Sequence, residues 1–167
     1  TTSSAKIARD LYKHCKELKN VNFIDAPISG GQAGAENGQL TIMVGGEEEI
    51  YRKVKPFLES YAKNSTLIGK SGSGQLAKMV NQICIAGLLQ GLSEAINFGQ
   101  KVNLDMEKVI GVIKDGAASS WQMQNRYQTM SKNEFDFGFA VEWMRKDLKI
   151  CLEQADEVGA RLPITAI

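Results

Sequence analysis

The chain has 167 residues, of which 43% are hydrophobic and 23% are charged. This composition is typical of a soluble globular protein, and one domain of ordinary size would account for the length. The net charge of +1 gives no electrostatic reason to expect nucleic acid or an anionic membrane as a partner.

The first part of the chain is predicted to contain strands. Ser3 or Ser4 is expected to cap a helix that runs to about residue 18. A strand is expected over residues 20–27, ended by Pro27, followed by a loop over 29–38 and a second strand over 40–44. A helix over residues 47–62, interrupted near Pro56, and a third strand over 66–68 complete this part.

The second part is predicted to be helical throughout. Nothing breaks the helical pattern from residue 74 to about 101, and residues 83–92 are apolar almost all round, which predicts a buried helix. Further helices are expected at 105–114, with Asp105 as the cap, at 119–130 and at 139–158. Gly159 is expected to stop the last of them. The boundary between the two parts is expected near residues 70–73.

Cysteine and histidine usage predicts a cytoplasmic protein without a metal site. The three cysteines, Cys15, Cys84 and Cys151, are widely separated and odd in number, so reduced thiols are expected rather than a disulfide framework. The single histidine, His14, makes a zinc site improbable. The richest apolar run, residues 83–89, is far shorter than the ~20 residues that a membrane span needs.

Lys78 is the strongest candidate for a chemical role. On a helix it shares one face with Asn81 and Gln82, and that helix becomes apolar one turn later. Partial desolvation would lower its pKa from about 10.4 towards the range of a general acid. The alternative is an ordinary surface lysine in the first turns of a helix.

Two glycine-containing segments have competing interpretations. Ser29, Gly30 and Gly31 can form a cradle of backbone amides and one hydroxyl for a carboxylate, or a plain turn after a strand. Residues 72–77 fit the dinucleotide pattern G-x-G-x-x-A formally. However, the acid about 20 residues further on, Glu94, lies inside a helical pattern rather than at the end of a strand, which disfavours that interpretation.

Residues 25–31 (Asp-Ala-Pro-Ile-Ser-Gly-Gly), 72–82 and 146–148 (Lys-Asp-Leu) together resemble the signatures of the β-hydroxyacid dehydrogenase family. This family includes 3-hydroxyisobutyrate dehydrogenase, tartronate semialdehyde reductase and the glyoxylate/succinic semialdehyde reductases. The resemblance implies hydride transfer between NAD or NADP and a small 3-hydroxy acid or its semialdehyde.

The same resemblance implies roles for individual residues. Lys78 would be the proton donor and acceptor, and Asn81 would help to fix it and the substrate. The substrate carboxylate would be held by Ser29, Gly30 and Gly31. The nicotinamide side of the cofactor would be contacted by Thr2 and Lys146. For Lys146, a solvated i,i+4 pair with Glu142 is the alternative.

The fold implied by the resemblance is an α/β remnant, the last strands of a Rossmann-like domain, over residues 1–71. An all-α helical domain of the 6-phosphogluconate dehydrogenase C-terminal type follows over residues 72–167, for catalysis and for pairing into a homodimer or homotetramer. The chain is expected to be a fragment that lacks the nucleotide-binding half and is inactive alone. Two rival hypotheses are an imine-reducing relative and a non-catalytic helical assembly module.

Overall fold

The computed structural model of the protein describes residues 2–19 and 21–167. These residues form two compact units. The first unit runs to Ile83 and resumes over Gly138–Ile167, and the second unit is Cys84–Phe137. Within the described residues, no helix is long and apolar enough to cross a membrane.

Helix α1, Ala5–Glu17, opens the first unit with the predicted cap. The Oγ atom of Ser4 accepts the N–H of Ile7 at 3.2 Å, which satisfies one of the free donors of the first turn. Ala5 and Ala8 are fully buried, and the other faces of the helix are largely exposed.

The strand predicted over residues 20–27 was wrong for the described residues, and Asn20 lies outside them. Asp25 forms only an isolated antiparallel bridge, and strand β1 is Ile28–Ser29. Pro27 has no N–H to donate, so it interrupts the hydrogen-bonded ladder instead of ending the extended segment.

The loop predicted over residues 29–38 was also wrong, because it contains the short helix α2, Gly31–Glu36. Gln32, Ala33 and Glu36 are good helix formers, and the two glycines of this helix do not prevent one short helix from forming. Strand β2, Leu40–Gly45, then follows as predicted.

The sheet has the order β1-β2-β3, with β2 antiparallel to β1 and parallel to β3, Ala62–Gly69. Helix α3, Glu48–Leu58, connects β2 to β3. Pro56 lies two residues before the end of α3, so it disturbs the last turn without interrupting the helix earlier. Strand β3 begins four residues before the predicted strand.

The hydrophobic core of the first unit lies against this sheet. Alternate residues of β2 point into it, as the two-residue period of a strand requires: Leu40, Ile42 and Val44 are buried. Leu58 and Ala62 complete the buried cluster. Ile24, Ala26, Tyr51, Val54 and Leu67 pack around it.

Helix α4, Ser73–Lys101, confirms the long unbroken helix. The predicted burial of residues 83–92 was wrong for most of them. Leu92 is buried, whereas the other apolar residues are half-buried and Cys84 is exposed. A helix that is apolar all round needs neighbours on every side, and the described residues cover only part of its circumference.

The second unit is helical, as predicted. Helix α5, Met106–Ile113, is capped by Asp105, whose Oδ1 accepts the N–H of Lys108 at 3.2 Å. Helix α6 is Trp121–Ser131. The core of this unit consists of Leu92, Ile96, Ile110 and Met123, with Met106, Ile113, Tyr127 and Met130 packed against it.

The last helix, α7, is Val141–Val158 and belongs to the first unit. It starts two residues later than predicted because Phe139 has a φ of 81°, which a right-handed helix does not allow. It ends as predicted at Gly159, which adopts the left-handed conformation with a φ of 72°.

Two glycine-to-alanine changes are expected to shift stability in opposite directions. Gly159→Ala should destabilise the chain by about 1 kcal/mol, because alanine is disfavoured at a left-handed φ although no atom blocks its Cβ. Gly111→Ala, in the exposed interior of α5, should stabilise it by about 0.5–1 kcal/mol. Urea-unfolding midpoints measure both. A Gly159→Ala chain as stable as the native one would contradict the capping role.

Candidate active site

Lys78 lies on the second turn of α4 and is unusually enclosed for a lysine. Only 8% of its surface is exposed. Burial lowers its pKa from the ordinary value of 10.5, Asp147 opposes this by raising the pKa, and Lys146 lowers it further. Among the described residues no carboxylate lies within ion-pair distance of its Nζ atom. The site therefore contains a desolvated amine whose proton is held less tightly than that of a surface lysine.

A buried carboxylate and two amides stand beside Lys78. Asp147, on α7, is 2% exposed, and its Oδ2 accepts the side-chain N–H of Gln82 at 2.7 Å. The amide of Gln82 in turn accepts a hydrogen bond from Asn81 Nδ2 at 2.8 Å. The three side chains form one chain of hydrogen bonds that joins α4 to α7.

Sequence reasoning selected Asn81 as the amide of this site and did not select Gln82 or Asp147. The structure gives Gln82 the more buried position, with 2% of its surface exposed. The i,i+4 spacing from Lys78 to Gln82 was the signal available in the sequence. Asp147 stood in the Lys-Asp-Leu segment that carries the family resemblance, but the sequence did not reveal its hydrogen bond to a partner 65 positions away.

Lys146 and Thr2 lie together, although they are far apart in sequence. The Lys146 ammonium donates to the Thr2 carbonyl oxygen at 2.8 Å and lies 2.9 Å from Asp147 Oδ1. The second contact is an ion pair rather than a directed hydrogen bond, since Oδ1 has no hydrogen-bond donor. No ion pair with Glu142 is present among the described residues, so the solvated pair is not the role of Lys146 here.

The N-terminus of α4 is capped from a distance by Asp25. Its Oδ1 accepts the N–H of Gly72 at 2.7 Å, and its Oδ2 accepts the N–H of Gln75 at 3.0 Å. Asp25 is 3% exposed. Helix N-termini commonly hold phosphates through such free amides, but here a carboxylate already occupies them and would repel a phosphate. Residues 72–77 therefore do not fit a dinucleotide, in spite of their G-x-G-x-x-A pattern.

Gly45 and Gly74 allow β2 and α4 to pack closely at this point. A Cβ atom on Gly74 would lie 2.4 Å from the Met43 carbonyl oxygen, and one on Gly45 would lie 2.5 Å from Asp25 Oδ1. Such distances leave no room for a side chain. The start of α4 can therefore approach the end of β2 only because both positions are glycine.

The predicted carboxylate cradle forms a turn at the start of α2. Ser29 ends β1 and is half-buried, Gly30 is the N-cap of α2 with a φ of 130°, and Gly31 has a φ of 60°. Both glycines are exposed. Within the described residues no hydrogen bond or ion pair joins this turn to Lys78.

Cys151 is an inert thiol within the same unit. It is 2% exposed, and its Sγ donates to the Met79 carbonyl oxygen at 3.7 Å. Burial, followed by the charge of Asp147, raises its pKa to about 11. A thiol held in the protonated form is a poor nucleophile and a poor metal ligand. The described residues contain no group of three or more His, Cys, Asp or Glu side chains that could hold a metal ion.

Two family models cover almost the whole chain. Residues 72–167 match the NAD-binding domain of NADP-dependent 3-hydroxyisobutyrate dehydrogenase, and residues 1–69 match the NAD binding domain of 6-phosphogluconate dehydrogenase. The chain therefore belongs to the β-hydroxyacid dehydrogenase family of oxidoreductases, whose cofactor is NAD or NADP.

Individual relatives agree with this assignment. An uncharacterized oxidoreductase of Shewanella frigidimarina is 53% identical over 167 residues, which are 100% of this chain and 57% of the relative. The 2-hydroxy-3-oxopropionate reductase of Escherichia coli is 40% identical over 145 residues, 87% of this chain and 50% of the enzyme. The chain thus spans about half the length of the curated relatives it matches.

Solved structures confirm the expected fold class. Mycobacterium tuberculosis 3-hydroxyisobutyrate dehydrogenase, solved with L-serine, superposes with a TM-score of 0.89 at 28% identity, covering 99% of this chain and 59% of that one. Plasmodium falciparum 6-phosphogluconate dehydrogenase superposes with a TM-score of 0.77 at 23% identity, covering 99% of this chain and 38% of that one. The chain combines a remnant of a Rossmann-like domain with a helical domain of the kind found in these enzymes.

Proposed function

We propose that this chain supplies the proton donor and the substrate cradle of an oxidoreductase that interconverts a small 3-hydroxy acid and its semialdehyde. The observation that carries the proposal is the buried Lys78, with its lowered pKa, beside the Asp147 carboxylate. A positioned amine whose pKa is moved towards the working pH is suited to general acid–base catalysis.

The role of Lys78 follows from the charge of its side chain. During reduction, the ammonium donates a proton to the carbonyl oxygen of the semialdehyde as that oxygen gains negative charge. During oxidation, the neutral amine accepts the hydroxyl proton. A nicotinamide cofactor, held on its nicotinamide side by Thr2 and Lys146, would supply or accept the hydride. Burial, the largest influence, lowers the pKa of Lys78, Asp147 raises it and Lys146 lowers it, so the ammonium gives up its proton more readily than a surface lysine does.

The substrate carboxylate is assigned to Ser29, Gly30 and Gly31. Two exposed glycines at the start of α2 can present backbone N–H groups to an anion, and the Ser29 hydroxyl adds one donor. Asn81 is assigned to hold the substrate and Lys78, with Gln82 as the amide that ties Asn81 to Asp147.

Thr2 and Lys146 are assigned to the nicotinamide side of the cofactor. Their direct hydrogen bond places a cation and a backbone carbonyl together at one point of the first unit. The phosphates need another set of amides, because Asp25 occupies those at the start of α4. This chain by itself is therefore proposed to have little or no turnover without a preceding nucleotide-binding half.

We also propose a domain division, an oligomeric state and a cellular location for the protein. We assign residues 1–71 to the nucleotide-binding domain and residues 72–167 to the helical domain. Pairing into a homodimer or homotetramer through the helical domain is supported by the half-buried apolar residues that precede Leu92 in α4. A cytoplasmic location is part of the same proposal, since the three cysteines are free thiols.

The test is cofactor oxidation by the longer polypeptide in which a nucleotide-binding half precedes this chain. NADH and NADPH would each be tried with glyoxylate, succinic semialdehyde, tartronate semialdehyde and methylmalonate semialdehyde. The tartronate compound deserves inclusion because the E. coli relative is named for its reduction. Turnover of at least one semialdehyde is expected. The chain without the preceding half should show none.

The same assay separates the rival functions. Imine reductases share this fold at 12–13% identity, so a panel of cyclic imines would be run in parallel. Turnover of imines without turnover of semialdehydes would move the protein to that class. Inactivity towards every substrate, in a folded protein that binds the cofactor, would favour a helical assembly module.

A further inference from the structure

We propose that Asp25 is a positioning residue that fixes the substrate-binding turn, Ser29–Gly31, relative to the helix that carries Lys78. The inference rests on the proposed function of both sites. Asp25 touches neither Lys78 nor the turn in the described contacts. It acts through the two backbone segments that it joins.

One connection runs from the Asp25 side chain to the start of α4. Its two carboxylate oxygens each accept a backbone N–H, from Gly72 at 2.7 Å and from Gln75 at 3.0 Å. The group is buried, with 3% exposed, so both hydrogen bonds are shielded from water. Lys78 follows Gly72 by six residues, which is about 9 Å along a helix. The cap therefore fixes the helix close to the lysine.

The other connection runs from the Asp25 backbone to the substrate-binding turn. Asp25 exchanges two backbone hydrogen bonds with Gly45, at 3.0 and 2.8 Å, and Met43 donates to the Pro27 carbonyl at 3.0 Å. Ser29 then pairs with Thr41. The segment from Asp25 to Ser29 is thus held extended along β2, over about 13 Å. A displacement at Asp25 would be transmitted along this segment to the turn.

Close packing holds Asp25 in place between β2 and the start of α4. Gly45 and Gly74 bring β2 and α4 so near to Asp25 that a Cβ atom at either position would overlap with neighbouring atoms. Asp25 cannot adjust by moving aside, and only a carboxylate offers an acceptor to both N–H groups. An asparagine has one acceptor oxygen, and its NH₂ group would face a donor. Asp25→Asn therefore preserves the shape and breaks one of the two bonds.

The test compares two substrates of equal length in the longer polypeptide with its nucleotide-binding half. Succinic semialdehyde carries the carboxylate that the turn binds, and butanal does not. In Asp25→Asn, the ratio of kcat/KM for the semialdehyde to that for butanal should fall about tenfold or more, through a higher KM for the semialdehyde. Lys78 and the cofactor are common to both reactions, so butanal reports on them.

The matched control is Asp105→Asn. This aspartate caps α5 through one backbone N–H and lies in the second unit. The same chemical change at an unrelated cap should leave the substrate ratio unchanged. All rates would be measured well below the melting temperature of each variant, so that loss of folded protein does not enter the ratio.

The outcomes are distinct. An unchanged ratio in Asp25→Asn, with only a lower melting temperature, would overturn the positioning role and leave the proposed function standing. A native protein that turns over no semialdehyde overturns the proposed function first and this inference with it. If Asp25→Asn does not fold, hydrogen exchange of the native protein decides the question. Succinate binding should slow exchange at the Gly72 and Gln75 amides, and no change there would refute the coupling.

Discussion

Replacing Lys78 by methionine in the longer polypeptide is expected to lower kcat for semialdehyde reduction by about 10²–10⁴-fold. Methionine is unbranched and close to lysine in length, so it fills the same space without a titratable group. Because the lysine is 92% shielded from solvent, no water is well placed to take over its proton transfer. Substrate affinity should change less than kcat, since we propose that the carboxylate is bound by Ser29, Gly30 and Gly31.

The pH dependence of the reduction and oxidation rates should also reveal the role of Lys78. The reduction rate needs the ammonium form, so it should fall as the pH rises through the pKa of Lys78. That midpoint should lie below 10.5, because burial lowers the pKa. The oxidation rate needs the neutral amine and should rise through the same midpoint. In Lys78→Met both limbs should disappear.

As the pH rises, the stability of the fold should change in the direction opposite to the reduction rate. A folded-state pKa below the unfolded value means that the unfolded chain binds this proton more tightly. The buried ammonium therefore costs stability below its lowered pKa, and the cost is relieved as the pH rises towards 10.5. Lys78→Met should accordingly remain folded. Lys101→Met, at the exposed end of the same helix, is the control and should retain full activity. An active Lys78→Met enzyme would remove the lysine from the mechanism.

Asp147→Asn is expected to shift the pH profile of the enzyme and to weaken its fold. The Asp147 charge raises the pKa of Lys78, so its removal should move the alkaline limb of the reduction rate to lower pH. The amide still offers an acceptor to Gln82, but Lys146 loses the carboxylate 2.9 Å from its Nζ. Because Lys146 is 40% exposed, that loss is partly screened, and a cost of about 1–3 kcal/mol is expected.

Urea unfolding and the pH dependence of kcat measure the two effects separately. Asp156→Asn, on the exposed side of the same helix α7, makes the identical chemical change and should affect neither quantity. An Asp147→Asn enzyme whose alkaline midpoint coincides with that of the native protein would show that this carboxylate does not tune Lys78.

Local patterns in the sequence determined much of the helical structure. The absence of a helix breaker predicted α4 almost to the residue, and Asp105 and Gly159 were identified as caps from their types and positions. For α1 the sequence left Ser3 and Ser4 as alternatives, and the structure selects Ser4. These features depend on neighbours within four residues, which a sequence displays directly. The same reasoning put Lys78 on one helix face with Asn81 and Gln82 and left open whether that face is buried or at the surface. This local reasoning was wrong for the glycine-rich segment predicted as a loop, where glycines and good helix formers alternate and the structure has helix α2.

Only the tertiary structure decided how the candidate site is assembled. Asp25 caps a helix that begins 47 positions later, Gln82 binds a carboxylate 65 positions away, and Lys146 meets Thr2 across 144 positions. The sequence singled out several of these residues but did not show which of them pair, because their hydrogen bonds form only after the sheet and helices have packed. Packing also decided that Gly74 of the G-x-G-x-x-A pattern lies against β2, and that Asp25 rather than a phosphate accepts the N–H groups of Gly72 and Gln75. The sequence selected Lys78 as the candidate proton donor, and the fold determined which groups surround it, because burial and long-range hydrogen bonds arise only from packing.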